Sequence, residues 1–213
     1  MTADPDLPIT RIDVVGDHLD VDRLRDLART LRRAPSDHVV VLVLGGSLTE
    51  SAATTPEERH TYASAMGAVV DALSSRRNAV VTAATGPLAA GAVALLLSGD
   101  VVLLAAAADL TPFPSDLPPT AGLGWLLRRE VGRQRAIDLA ISARTVRADE
   151  ARDLGLATAV VEDPVAEATS RGRGVAAESD RVRVLRQAVG GPSSMRGRTT
   201  ALDYDAEVAA AWS

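Results

Sequence analysis

Beyond its 28 Asp and Glu residues, this chain has few residue types that can carry a proton, an electron pair or a metal. There is no Cys, which excludes thiolate nucleophiles, disulfides and cysteine metal sites. There is no Lys either. All 23 basic residues are Arg, so Schiff-base and lysine general-base mechanisms are excluded. A P-loop is excluded as well, because its Gly-Lys-Ser/Thr end is missing. The three histidines, His18, His38 and His60, are scattered with no pair at ligand spacing, and no metal site is expected. Ser47 and Ser51 precede His60 in the sequence, but no nucleophile-elbow signature surrounds them, and a polar loop beside a helix explains them better.

The hydropathy pattern supplies the elements that would hold any site. Ile9 to Val15 alternates loosely and predicts a strand. Asp20 can cap a helix over Val21–Arg33, with Val21, Leu24, Leu27 and Leu31 as its apolar stripe. His38 to Leu44 is apolar after the His and predicts a strand buried on both faces. Gly45 to Thr54 is small and polar, a loop. Thr55-Pro56-Glu57-Glu58 has the form of a capping box with Pro at the first helical position. Tyr62, Met66, Val69, Val70 and Leu73 give the helix that follows its inner face. A strand is expected over Asn78–Ala84, a helix apolar all round over Leu88–Ser98, and a strand from Asp100 to about Ala106. This alternation predicts parallel strands with crossover helices. A loop with four prolines, Thr111–Thr120, comes next. Helices are expected over Ala121–Arg129, Gly132–Ser142 and Ala148–Leu154, the last closed by Gly155. Leu156–Val161 is a last expected strand, and a helical tail begins at Asp163, broken near Gly190. The sequence shows no internal repeat.

Composition narrows the class. With 213 residues, 46% hydrophobic and 24% charged, the chain can build a sizeable core as one domain with an appendage. A net charge of −5 argues against a nucleic-acid binder, which needs a basic face. Leu88 to Ala108 is membrane-like in hydropathy, but Ser98, Gly99 and Asp100 interrupt it, and a buried helix and strand fit better than a span. The amino terminus has neither the basic nor the apolar region of a signal peptide, so a soluble, cytoplasmic protein is expected.

Four segments together resemble the crotonase (enoyl-CoA hydratase/isomerase) superfamily. They are AVVTAATGPLAAGAVALLLSGDVVLLA (79–105), LLRREVGRQRAIDLAISAR (126–144), TVRADEARDLGLATAVVED (145–163) and, more weakly, HVVVLVLGGSLTESAATT (38–55). The third is the most specific. The resemblance implies an α/β fold of the ClpP/crotonase type, a spiral of ββα turns over residues 1–162. It also implies a C-terminal helical assembly region over 163–213, used in a homotrimer or in a hetero-oligomer with another CoA-using enzyme. It implies an acyl-CoA thioester as ligand or substrate, with no further cofactor. In the family, two backbone N–H groups polarise the thioester carbonyl, and such fixed donors are worth about 10²–10³ in rate each. Carried over, the donors are Ala52 and Gly91, the latter at the amino end of the expected Leu88–Ser98 helix, whose positive end would help. A side chain at Gly91 would then block ligand and spare the fold.

The departures from the family pattern bear on activity. Hydratases of the family use two Glu residues as acid and base. One would fall on Ala94. The other would fall on Pro114 or Pro112, depending on the direction of counting. Asp116 is the nearest substitute carboxylate and Asp109 the next, although a solvated loop role is the commoner one for such residues. Ala53, Thr54 and Thr55 stand where the family has Gly-Ala-Asp. The usual opening hairpin is shortened, so that one strand leads almost directly into the first helix. The same fold hosts Clp-type serine peptidases, but their nucleophile position is Ala89 and no His follows His60. Two readings stand. One is a non-catalytic accessory subunit supporting a CoA-thioester enzyme, similar to the crotonase-like accessory proteins of dihydroxyphenylacetyl-CoA biosynthesis, which assist a polyketide synthase. The other is an active hydratase/isomerase-type enzyme with a relocated carboxylate, Asp116 being the candidate catalytic residue.

Overall fold

The structure, a computed structural model, describes residues 8–50, 55–115, 122–186 and 188. Its elements in order are β1 (Ile9–Val15), β2 (His18–Leu19), α1 (Val21–Arg33), β3 (Val39–Gly45), β4 (Thr49–Glu50) and α2 (Pro56–Ser74). Next come β5 (Val80–Ala84), β6 (Leu88–Ala89), α3 (Gly91–Leu97), β7 (Val101–Leu104) and β8 (Leu110–Thr111). The last are α4 (Leu123–Val131), α5 (Arg133–Ser142), α6 (Ala148–Leu154), β9 (Ala159–Val160) and α7 (Pro164–Ala177).

Five long strands form one parallel sheet in the order β1-β3-β5-β7-β9. Beside it, the two-residue strands pair as β2–β4 and β6–β8, and a parallel bridge from Leu48 to Leu88 joins the two pairs. One turn of the spiral is therefore a long strand, a short strand and a helix. The sequence shows no repeat, yet the backbone repeats. The ends of successive strands stack at Gly16, Gly46 and Gly86. A Cβ on Gly46, at φ +85°, would stand 2.6 Å from the Gly16 carbonyl oxygen. One on Gly86 would collide with the carbonyl oxygen of Gly46. Only glycine permits both the positive φ and that approach.

The first and second helices begin where their caps predict. The Asp20 carboxylate accepts the Arg23 N–H at 2.8 Å. The Thr55 hydroxyl accepts the Glu58 N–H at 3.2 Å, and the Glu58 carboxylate accepts the Thr55 N–H at 3.0 Å. The apolar run of β3 is buried on both faces, as read. Val40, Leu42 and Leu44 enter the main core with helices α1 to α6. Val39, Val41 and Val43 enter a second cluster with Ala168 and Ala176 of α7. The helix that follows Asp163 thus lies on the main sheet.

The expected helix over Leu88–Ser98 is corrected. Leu88 and Ala89 are a strand, because their N–H groups go to Asp109 and Leu48 carbonyls of neighbouring segments at 2.8 and 3.0 Å. The helix is only Gly91–Leu97, and Ala90 turns the chain into it at φ +43°. Hydropathy cannot distinguish a buried strand from a buried helix turn, and here both are present. Two shorter corrections concern two-residue strands, which carry no hydropathic period. The opening strand reaches α1 by way of β2, and the last strand is Ala159–Val160 alone.

Candidate functional site

Of the three site residues expected from sequence, Gly91 is described. Ala52 and Asp116 lie outside the described residues. Gly91 is the first residue of α3, and a first helical residue has no intrahelical partner for its N–H. That N–H donates to Oε1 of Glu50 at 2.8 Å.

Glu50 comes from β4, one turn of the spiral earlier. β4 pairs in parallel with β2, Thr49 beside His18 and Glu50 beside Leu19. Alternation along the strand leaves Thr49 half-buried and turns Glu50 inward, where it is only 7% exposed. A carboxylate held this deep needs strong donors, and a backbone N–H to a charged oxygen is one of the stronger pairings.

Helix α2 walls the site. Tyr62 and Met66, four residues apart on its inner face, are both buried. A Cβ on Gly91 would stand 2.5 Å from Met66 Cε, 2.7 Å from Glu50 Oε1 and 3.3 Å from the Tyr62 hydroxyl. Three side chains thus converge on one point. The Tyr62 hydroxyl has no hydrogen-bond partner among the described residues. Burial, and then the charge of Glu50, push its pKa above the ordinary phenol range, so it stays protonated and able to donate.

The remaining expectations fall as follows. Ala94, three residues past Gly91, is fully buried in the core, and its carbonyl oxygen accepts from the Ser98 hydroxyl at 2.7 Å. Pro112 is buried and Pro114 half-buried. Asp109 is half-buried, and its backbone carbonyl holds the N–H of Leu88. Among the described residues no cluster of three His, Cys, Asp or Glu is placed to hold a metal. Nor is any helix among them long and apolar enough to cross a membrane. Among the described residues the constellation at Gly91 is one backbone donor, one carboxylate on it and one buried hydroxyl. It can bind a carbonyl or carboxylate oxygen, or move a proton through Glu50.

Glu50 was missed in sequence. It sits in a short polar stretch, and only the two-residue β4 decides that it points inward. Tyr62 and Met66 were legible as an inner face, though not as the wall of a site.

Comparison with known proteins follows the same lines. The enoyl-CoA hydratase/isomerase family model matches residues 24–211. The chain is 36% identical over 86 residues to a 1,2-epoxyphenylacetyl-CoA isomerase of Escherichia coli, covering 39% of this chain and 33% of that protein. It is 33% identical over 153 residues to the human peroxisomal bifunctional enzyme, covering 68% of this chain and 21% of that one. The matched stretches thus span a third and about a fifth of these curated relatives. The fold superposes on an enoyl-CoA hydratase of Mycobacterium avium subsp. paratuberculosis with a TM-score of 0.81 at 21% identity, covering 97% of this chain and 90% of that one.

Proposed function

The chain belongs to the enoyl-CoA hydratase/isomerase (crotonase) family, and from that premise we propose that it is a non-hydrating member that binds an acyl-CoA thioester as accessory subunit to another CoA-using enzyme. The observation that carries this reading is Ala94. Where the family pattern has an acid–base Glu, this chain has a methyl group sealed in the core. Pro112 and Pro114 leave the second proton-transfer position without a carboxylate. Each missing group removes about 10²–10⁴ in rate. The Gly91 N–H is the proposed seat of the thioester oxygen, with Ala52 as the second donor.

Assembly is part of the reading. Ile137 and Ile141 project from α5, the latter 81% exposed, and Val184 and Leu185 are also exposed. Covering them in a homotrimer or a mixed oligomer recovers about 25 cal/mol per Å² of apolar surface removed from water.

The test is hydration of crotonyl-CoA by the purified chain, followed as loss of the enoyl chromophore, beside calorimetric binding of the same thioester. Binding without turnover is expected. A specific observation favours a second reading, an active enzyme with a relocated carboxylate: Glu50 already stands on the proposed donor, and Asp116 is the other candidate. Turnover that disappears in Asp116→Ala or Glu50→Gln establishes that reading and overturns the first.

A further inference from the structure

The Gly91 site holds two features that a packed interior ordinarily avoids. One is a buried carboxylate placed on the backbone donor that the reading above gives to a thioester oxygen. The other is a buried hydroxyl, Tyr62, with no partner among the described residues. Buried polar groups are nearly always paired, and an unpaired one calls for an explanation. The two face the same small space, since the carboxylate oxygen and the hydroxyl stand 2.7 and 3.3 Å from the point where a Gly91 Cβ would be. Met66 Cε closes a third side at 2.5 Å from that point.

We propose that Glu50 is a latch on the Gly91 N–H, and that an entering acyl thioester takes this donor while the displaced carboxylate is received by the Tyr62 hydroxyl. The proposal rests on the reading of Gly91 as the thioester seat. It accounts for both features. In the closed state the N–H is satisfied and the hydroxyl waits. In the open state the thioester carbonyl accepts from Gly91 and the carboxylate keeps a donor. No bond is made or broken. A side-chain rotation exchanges the bond between Gly91 and Glu50 for one from Gly91 to the thioester and one from Tyr62 to the carboxylate. The latch also gives selectivity: free CoA has no carbonyl at this point, so nothing in it displaces Glu50.

The experiment is titration calorimetry of crotonyl-CoA and of free CoA against the wild-type chain, Glu50→Ala, Glu50→Gln and Tyr62→Phe, with thermal melts of each. Glu50→Ala removes the resident competitor, and crotonyl-CoA is expected to bind about tenfold more tightly, a change of 1.4 kcal/mol. Glu50→Gln tightens it by less, because its amide oxygen still accepts from Gly91, and it carries the test if the alanine variant does not fold. Tyr62→Phe is expected to melt no lower than wild type, since its hydroxyl has no partner in the closed state, yet to bind crotonyl-CoA several-fold more weakly. Free CoA is expected to be indifferent to all three. Crotonyl-CoA affinity that is unchanged or weakened in both Glu50 variants overturns the latch and leaves the thioester reading standing. Unchanged affinity in Tyr62→Phe overturns the transfer to the hydroxyl. Crotonyl-CoA that binds no better than free CoA in every form overturns the thioester seat, and the latch with it.

Discussion

Gly91→Ala tests whether the site is as tightly built as the geometry says. The new Cβ would stand 2.5 Å from Met66 Cε and 2.7 Å from Glu50 Oε1, with the Tyr62 hydroxyl at 3.3 Å. Ordinary contact between carbon atoms lies at about 3.5–4.0 Å, so Met66 Cε must retreat by about 1 Å and Glu50 must shift with it. Both atoms are the far ends of flexible side chains, so the resistance comes from the packing around the fully buried Met66 and not from a fixed backbone. Overpacking of this kind costs about 1–3 kcal/mol. Any loosening of the bond from the Gly91 N–H to the carboxylate adds to that, up to about 1.5–3 kcal/mol if it is lost. Against these, replacing Gly by Ala inside a helix returns at most about 1 kcal/mol. A net loss of about 2 kcal/mol lowers the melting temperature by about 4–8 °C for a chain of this size. The expectation that a side chain here would block ligand while sparing the fold is therefore revised: both should suffer. Urea denaturation and calorimetric melting of Gly91→Ala and Gly91→Val measure the effect, with valine the worse. A Gly91→Ala protein with the wild-type midpoint would show that the convergence of Met66, Glu50 and Tyr62 on this point is wrong.

Gly46→Ala is expected to destabilise by about 1–3 kcal/mol or more, because the residue sits at φ +85° and its Cβ would meet a backbone oxygen that cannot rotate away; a denaturation midpoint within error of wild type would refute the stacked-glycine account of the spiral. Arg144 donates to both oxygens of Glu150 at 3.0 and 2.7 Å, and this pairing holds the Glu150 pKa below the ordinary carboxylate value. A depressed carboxylate pKa stabilises the fold at pH above the unfolded value and ceases to do so as pH falls through the folded one. The wild type should therefore exceed Glu150→Gln in urea stability at pH 7, by less than about 1 kcal/mol because the side chains are 39% exposed, and the gap should close in strong acid. Static light scattering at micromolar concentration should give a trimer or larger, and a stable monomer that also fails to associate with any CoA-using enzyme removes the assembly proposal.

The sequence makes visible whatever is written in period and punctuation. Asp20 and Thr55 mark helix starts because a short polar side chain before an apolar stripe has one good use, to accept the first N–H groups. The seven residues of β3 read as doubly buried because nothing polar interrupts them, and α7 supplies the second cover. The two-residue strands are invisible for the opposite reason. A pair of residues carries no period, and the partners that make Leu88 and Ala89 a strand, Asp109 and Leu48, lie about 20 and 40 positions away in the chain. The spiral's repeat is hidden similarly, since only the glycines at strand ends are common to its turns, and 30 and 40 residues separate them.

The site was half legible for a related reason. Gly91 stood out through a motif, and a motif describes a donor without saying what the donor holds in this chain. Its occupant, Glu50, comes from a stretch whose letters, Thr-Glu-Ser, describe an exposed loop. Burying that carboxylate is unfavourable unless a fixed donor meets it, and the next turn of the spiral brings one, where Ala90 bends the backbone to begin α3 at Gly91. The carboxylate and the donor therefore explain each other, while neither explains Tyr62, whose hydroxyl lies against the same point and gains nothing there in the closed state. A phenylalanine would fill that volume without the desolvation of a hydroxyl. The proposed latch gives that hydroxyl a partner, and on that proposal the chemistry of this pocket is tied to a movement of Glu50 as well as to the resting geometry.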